Sequence, residues 1–149
     1  MSFVLIETDW QHDAARLGAV RRQVFIVEQG VPEAMEWDKH DAVSRHWLAL
    51  DEHNTPIACA RLLPDGHLGR MAVLPEWRGR GVGRALLSAV IDTARHHQYT
   101  CLKLSAQCHA VRFYRRAGFV VSGAVYPEAG ILHQAMELQL TDTQNTANL

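Results

Sequence analysis

The stretch that most restricts what this chain can become is a glycine-rich turn set between two different periodicities. His67 to Val73 alternates as a strand does. Beyond the turn, Leu86, Leu87, Val90, Ile91 and Ala94 recur at helical spacing, with Arg84, Ser88, Asp92 and Arg95 elsewhere on the helix surface. Gly79, Gly81 and Gly83 therefore stand at a strand–turn–helix junction. Glycine lets the main chain approach a ligand closely, and the N–H groups that open a helix attract anions. Arg78, Arg80 and Arg84 add positive charge on both sides. Surface arginines beside a turn are commonplace, but three of them flanking three glycines at a helix start predict a phosphate-bearing ligand.

Spacing narrows the class of ligand. A Walker loop would end in Gly-Lys-Ser/Thr, which is missing here, and a dinucleotide fingerprint would need glycine where Arg84 stands. The pattern Arg78-x-x-Gly81-x-Gly83 resembles the acetyl-coenzyme-A signature of the GNAT N-acetyltransferases. Downstream, Ala106-Gln-Cys-His-Ala-Val-Arg-Phe-Tyr-Arg-Arg-Ala-Gly-Phe119 resembles that family's second coenzyme-binding element, a strand end leading to a helix with Phe113-Tyr114. Val24-Phe-Ile-Val-Glu-Gln29 and the stretch from Tyr126 to Met136 resemble its ElaA-like branch. The resemblance covers roughly residues 3–140.

A chain of 149 residues suits one domain, which at this size buries roughly two-thirds of its unfolded surface. Apolar residues make up 48% of it, enough for a core without staples, and a net charge of −1 argues against a nucleic-acid binder. Cys59, Cys101 and Cys108 form no Cys-x-x-Cys pair, which suits reduced thiols. The N-terminus lacks the basic start and apolar run of a signal peptide, and no stretch approaches the roughly 20 apolar residues of a membrane span. A cytoplasmic protein with no membrane partner is the expectation.

Along the chain, Ser2 to Thr8 reads as a strand and Trp10 to Val27 as a helix capped by Asp9, with Leu17, Val20, Val24 and Val27 on one face. A loop or broken helix follows to Arg45. His46 to Asp51 and Ile57 to Leu63 read as strands, then come the central strand and a helix ending near His97-Gln98. Cys101 to Ser105 is a short strand, Cys108 to Ala117 a helix closed by Gly118, and Val120 to Tyr126 pairs with His133 to Leu140. This order predicts an α/β chain of the α+β type, a mixed sheet with helices on both faces. A single domain over 1–140 and a polar tail over 141–149 are expected. The resemblance adds the GNAT acyl-CoA N-acyltransferase fold, mostly antiparallel, whose fourth and fifth strands splay to admit pantetheine. Here that gap would lie between Met71–Val73 and Leu104–Ala106.

The resemblance implies direct acetyl transfer from acetyl-CoA, as cosubstrate, to a primary amine. Backbone N–H groups of Met71, Ala72 and Val73 would face the thioester oxygen, and amides of Gly79, Arg80, Gly81, Val82, Gly83 and Arg84 would hold the pyrophosphate, with Arg78 adding charge. Gln107 stands where many members carry asparagine. Phe113 and Tyr114 would line the coenzyme, Tyr114 protonating the departing thiolate, since a phenol near pKa 10 and a thiol near 8.5 are close enough to share a proton. Pattern alone would make Tyr114 a buried aromatic. For the general base Glu28, Glu36, Asp38, Asp41, His46 and His133 all stay open, either histidine serving equally as a structural hydrogen-bonder. No metal site is expected. Glu28, Glu33, Glu36, Asp38 and Asp41 face a single lysine, Lys39, which predicts either a solvated loop or a cleft that draws in a small cationic amine, walled by Trp37 and Trp47. Relatives often pair through sheet edges, so a homodimer is the implied assembly. The alternative to catalysis is an acetyl-CoA-binding sensor module without turnover.

Overall fold

The computed structural model describes residues 2–141. The tail expected over 141–149 lies outside them, apart from Thr141. The chain forms one compact unit up to Val90 and a second from Ile91 onward.

In the first unit, strands β1 (Phe3–Thr8), β2 (Arg45–Asp51), β3 (Pro56–Leu62) and β4 (Leu68–Val73) pair in sequence order, antiparallel throughout. The hairpins between these strands turn through Asn54 and Gly66, both left-handed, at φ 63° and 96°. Helix α1 (Trp10–Arg21) starts as the sequence indicates, the Asp9 carboxylate accepting from the His12 N–H at 2.9 Å. Leu17, Val20 and Val24 pack with Leu48, Leu50, Cys59 and Ala72 as the core of this unit. Truncating a residue as buried as Leu17 to alanine costs about 2–5 kcal/mol.

The helix expected to run to Val27 changes winding. Arg22–Glu28 is π-helical, with Gln29 N–H reaching the Val24 carbonyl at 3.1 Å. The wider i→i+5 turn shifts the phase of the apolar stripe. Val27, expected on the buried face, is 63% exposed, while Arg21 is 1% exposed. The segment to Arg45 then holds a one-turn helix α2 (Glu33–Glu36) and a 3₁₀ turn at Asp41–Val43.

One irregularity in β4 bears on the site. Cys59 pairs with Ala72 and Arg61 with Gly69, so Arg70 and Met71 together oppose Ala60. Arg70 has φ 46°. A bulge whose first residue is left-handed normally takes glycine, and a side chain there costs about 1–2 kcal/mol. The Arg70 carbonyl accepts from the buried Cys59 Sγ–H at 3.3 Å.

Helix α3 (Val82–His96) begins in the first unit and ends in the second, with Val82, Leu86, Leu87, Val90 and Ala94 buried at the predicted spacing. The second unit holds an antiparallel sheet of β5 (Cys101–Gln107), β7 (Ile131–Gln139) and β6 (Val120–Glu128), in that order. Strand β5 runs two residues beyond the expected Ser105. The helix expected over Cys108 to Ala117 is a 3₁₀ turn, Cys108–Ala110, followed by α4 (Val111–Arg116) and the left-handed Gly118. Five strand pairings are seen among the described residues and each is antiparallel, β4 terminating one sheet and β5 the other.

Candidate functional site

The glycine turn is built from the end of β4. Pro75–Trp77 makes a 3₁₀ turn anchored by buried Trp77, whose ring meets Phe3 edge-on at 6.3 Å. Gly79 and Gly81 follow with φ +74° and +83°, and a β-carbon at either would meet nothing within 4 Å. Backbone conformation, not crowding, therefore requires glycine, and the approach stays open. The Ala85 N–H reaches the Gly81 carbonyl at 3.0 Å, so Gly81 caps α3 and the amides of Val82, Gly83 and Arg84 form its first turn. Val82 is buried beneath them and Arg84 is exposed.

Arg78 folds back. Its Nε donates to the Val73 carbonyl at 2.9 Å, and its two terminal nitrogens grip Glu28 at 2.7 and 2.6 Å. The sequence reading gave these two residues separate roles, and the fold makes them one bidentate pair. The hydrogen bond from Arg78 holds the Glu28 carboxyl below its ordinary range. Arg80 Nε donates to the Glu76 carbonyl at 3.0 Å. An anion at this turn would thus meet backbone amides and Arg84 first.

The acidic stretch from Glu28 to Asp41 departs from expectation. Each of its five acids has an arginine partner from outside the stretch: Glu28 with Arg78, Glu33 with Arg22, Glu36 with Arg21 and Arg70, Asp38 with Arg61 and Arg70, Asp41 with Arg21 and Arg61. Counting lysines within the stretch missed this neutralisation, and the paired acids supply no net pull on a cation. The walls are corrected too. Trp37 packs beside Gly18 and against Trp10, their centroids 6.5 Å apart, and the Arg21 guanidinium lies 5.1 and 5.3 Å from the two rings, while Trp47 is 2% exposed within β2.

This network is buried at its centre. Arg21 donates to Glu36 Oε2 at 2.9 Å, to the Glu36 carbonyl at 3.0 Å and to both oxygens of Asp41 at 2.7 and 3.1 Å. Burial pushes the Glu36 carboxyl up despite Arg70 and Arg21 beside it. For Asp38 the upward push of burial is overcome by the hydrogen bond from Arg61 and the charge of Arg70, leaving it lowered. Arg70 Nε lies 2.9 Å from Glu36 Oε2 but off line for a hydrogen bond, so that contact is ionic. His46 is 1% exposed and its Nε2–H donates to the Asp41 carbonyl at 2.9 Å. Burial lowers its pKa, so the imidazole is neutral at pH 7, with the Trp10 ring 5.8 Å away.

In the second unit Gln107 and Tyr126 flank His133 in neighbouring strands. His133 Nδ1–H donates to the Ile131 carbonyl at 2.7 Å, which leaves the lone pair on Nε2 in the neutral ring. That nitrogen lies 3.7 Å from Glu128 Oε2, and Tyr126 stacks on the ring at 6.0 Å while its hydroxyl pairs with Ser105. Tyr114 on α4 meets Phe113 and Phe119 edge-on at 5.1 and 5.8 Å. Burial pushes its phenol up to about 12. Its gap from a thiol near 8.5 widens from about 1.5 units to about 3.5.

Sequence reasoning passed over Arg21, Arg61, Arg70 and Trp10. Signals were present: Arg21 stands four residues after Leu17 on the apolar face, and Arg61 interrupts the apolar run Ile57-Ala-Cys-Ala-Arg-Leu62. Charges placed there need buried partners, and acids without lysines point to arginines elsewhere.

Comparison with known proteins agrees with this architecture. The family model described as an acetyltransferase (GNAT) domain matches residues 9–140. The uncharacterized N-acetyltransferase YjcF of Bacillus subtilis is 35% identical over 121 residues, 78% of this chain and 86% of that protein. Protein ElaA of Escherichia coli is 34% identical over 125 residues, covering 78% and 81%. Its crystal structure superposes with a TM-score of 0.82 over 91% of this chain and 99% of ElaA, at 30% identity across that longer span. An acyl-CoA N-acyltransferase from Pseudomonas aeruginosa matches with the same TM-score, identity and coverage. With the family match running from the cap of α1 to the end of β7, the chain belongs to the GNAT acetyltransferases, in their ElaA-like branch.

Proposed function

We propose that this acetyltransferase moves the acetyl group of acetyl-CoA directly onto the primary amine of a small cationic acceptor, both bound at once, in the cytoplasm. Residues 1–140 act in this reading as one catalytic domain, in a homodimer. The observation that carries it is the open, left-handed glycine turn capping α3 at Gly81. A pyrophosphate fits there because main-chain N–H groups converge without a β-carbon in the way. Gly79 to Arg84 hold that group, Arg78 adds charge, and Gln107 and Phe113 contact the pantetheine arm. The backbone of Met71, Ala72 and Val73 donates to the thioester oxygen as negative charge builds on it.

Among the candidate bases, His133 has the geometry that favours the role. Its Nδ1–H is committed to a carbonyl, so Nε2 can take the ammonium proton. His46 is sealed in the arginine network and Glu28 is clamped by Arg78. Tyr114, with its phenol near 12, stays protonated and donates a hydrogen bond to the departing thiolate. Full proton transfer to so weak a base would be uphill, so charge stabilisation is its larger contribution. An aliphatic amine is itself a cation at neutral pH, and with the acids paired the cationic preference rests on the amine.

The test is thermal melting with and without acetyl-CoA, then thiol release over a panel of amines. Acetyl-CoA should raise the melting temperature, cationic amines should release thiol, and Tyr114→Phe should lower turnover at least about tenfold with coenzyme affinity little changed. Stabilisation without release from any amine would favour a sensor, and reaction of anionic amines alone would reverse the acceptor class.

A further inference from the structure

Arg70 sits where β4 needs a left-handed residue, yet it is not glycine. Its side chain accounts for the choice. One terminal nitrogen donates to the Glu36 carbonyl at 2.9 Å, approaches the Met35 carbonyl at 3.4 Å and pairs with Asp38 at 3.3 Å, while Nε faces the Glu36 carboxylate. Those acids are fixed in turn by Arg21 from α1 and Arg61 from β3. The bulge is thereby tied on its side-chain face to the 35–38 segment and on its carbonyl to Cys59.

A one-residue bulge reverses which way every later residue of the strand faces. Here the later residues are Met71, Ala72 and Val73. We infer that Arg70 is a positioning residue for acetyl transfer: by pinning the bulge to the 35–38 segment it fixes the direction in which the Met71–Val73 backbone points. This rests on the proposed role of that backbone toward the thioester. It also connects the loop before β2 to the reacting centre, so displacement of Glu36 or Asp38 would reach the chemistry through Arg70.

Three variants test it. Arg70→Gly keeps the left-handed backbone and removes the ties. Arg70→Ala removes the ties and restores strain. Arg70→Lys keeps the charge without the planar fork. Each is titrated with CoA by calorimetry for stoichiometry and Kd, then assayed for kcat by thiol release. Arg70→Gly should bind one CoA with Kd within about twofold of wild type while kcat falls about tenfold or more, the pattern of an interaction that matters only in the transition state. Arg70→Lys should recover part of kcat, and the Ala72 and Val73 amide resonances should shift less on adding acetyl-CoA to Arg70→Gly than to wild type. Wild-type kcat in Arg70→Gly would overturn the inference, as would a loss of kcat matched by lost CoA stoichiometry, which marks a merely structural residue. If Arg70→Gly does not fold, the same split is read from Arg70→Lys. Wild-type protein that releases no thiol with any amine would instead sink the underlying reading, and this inference with it.

Discussion

Two arginine–carboxylate assemblies in the first unit use the same chemistry and do different things. Arg21 with Glu36 and Asp41 lies at 1% to 3% side-chain exposure beside two tryptophans, whereas Arg78 with Glu28 lies at 44% and 36% beside the glycine turn. Charges out of water need each other, and removing one leaves the rest uncompensated. Charges at the surface exchange partners with water and salt at little cost. The first assembly is therefore a fixed part of the core, tying α1 to the acidic stretch. The second is an exposed clamp beside the turn, held by a pair that water and salt can break.

The largest expected effect is in the core. Arg21→Met should destabilise the fold by about 3–5 kcal/mol, measured by urea denaturation, because Glu36 and Asp41 lose their shared partner. A loss below about 1 kcal/mol would erase the distinction between the assemblies. At the turn, Gly81→Ala forces a side chain into a left-handed cap without a clash. It should cost about 1–2 kcal/mol of stability and weaken acetyl-CoA binding, which calorimetry reads directly. Unchanged affinity would mean that the coenzyme does not use this turn.

How much of this could be read beforehand follows from range. The turn was legible because Gly79, Gly81 and the stripe Leu86, Leu87, Val90, Ala94 are local, and local spacing predicts local conformation. The seven strands were legible for the same reason, within a few residues at their ends. The arginine network was not, because Arg21, Arg61 and Arg70 reach acids 15 to 34 positions away. Composition in one window could not see them. The π-helical winding of Arg22–Glu28 was equally hidden: Val24-Phe-Ile-Val27 reads as an ordinary apolar stripe until the turn widens and Val27 swings out.

His46 gives the comparison a pH axis. The folded chain keeps its imidazole neutral because it is buried, whereas the unfolded chain takes up a proton near the ordinary value of about 6.5. Acid therefore favours unfolding. The stability from this group is fully present above about pH 6.5 and falls as the pH drops toward the lowered folded value, by up to about 1.4 kcal/mol per unit. Denaturation profiles between pH 7 and 5 should show this limb in wild type and a flatter one in His46→Gln. Equal slopes would mean that the buried network tolerates a charged imidazole.

The smallest effect is expected at the surface clamp, and it sharpens the contrast most. The hydrogen bond from Arg78 lowers the Glu28 pKa, so the pair contributes stability above about pH 4.5 that is lost as the pH falls through the folded value. Because both side chains are substantially exposed, Glu28→Gln should change stability at pH 7 by less than about 1 kcal/mol. It also releases the two Arg78 nitrogens toward the turn, so acetyl-CoA affinity should hold or tighten. With His133 as the base, kcat falls about tenfold or more in His133→Gln and stays within about twofold in this variant. The opposite pattern would make Glu28 the base, and the clamp would then be a gate that substrate must open before the proton can move.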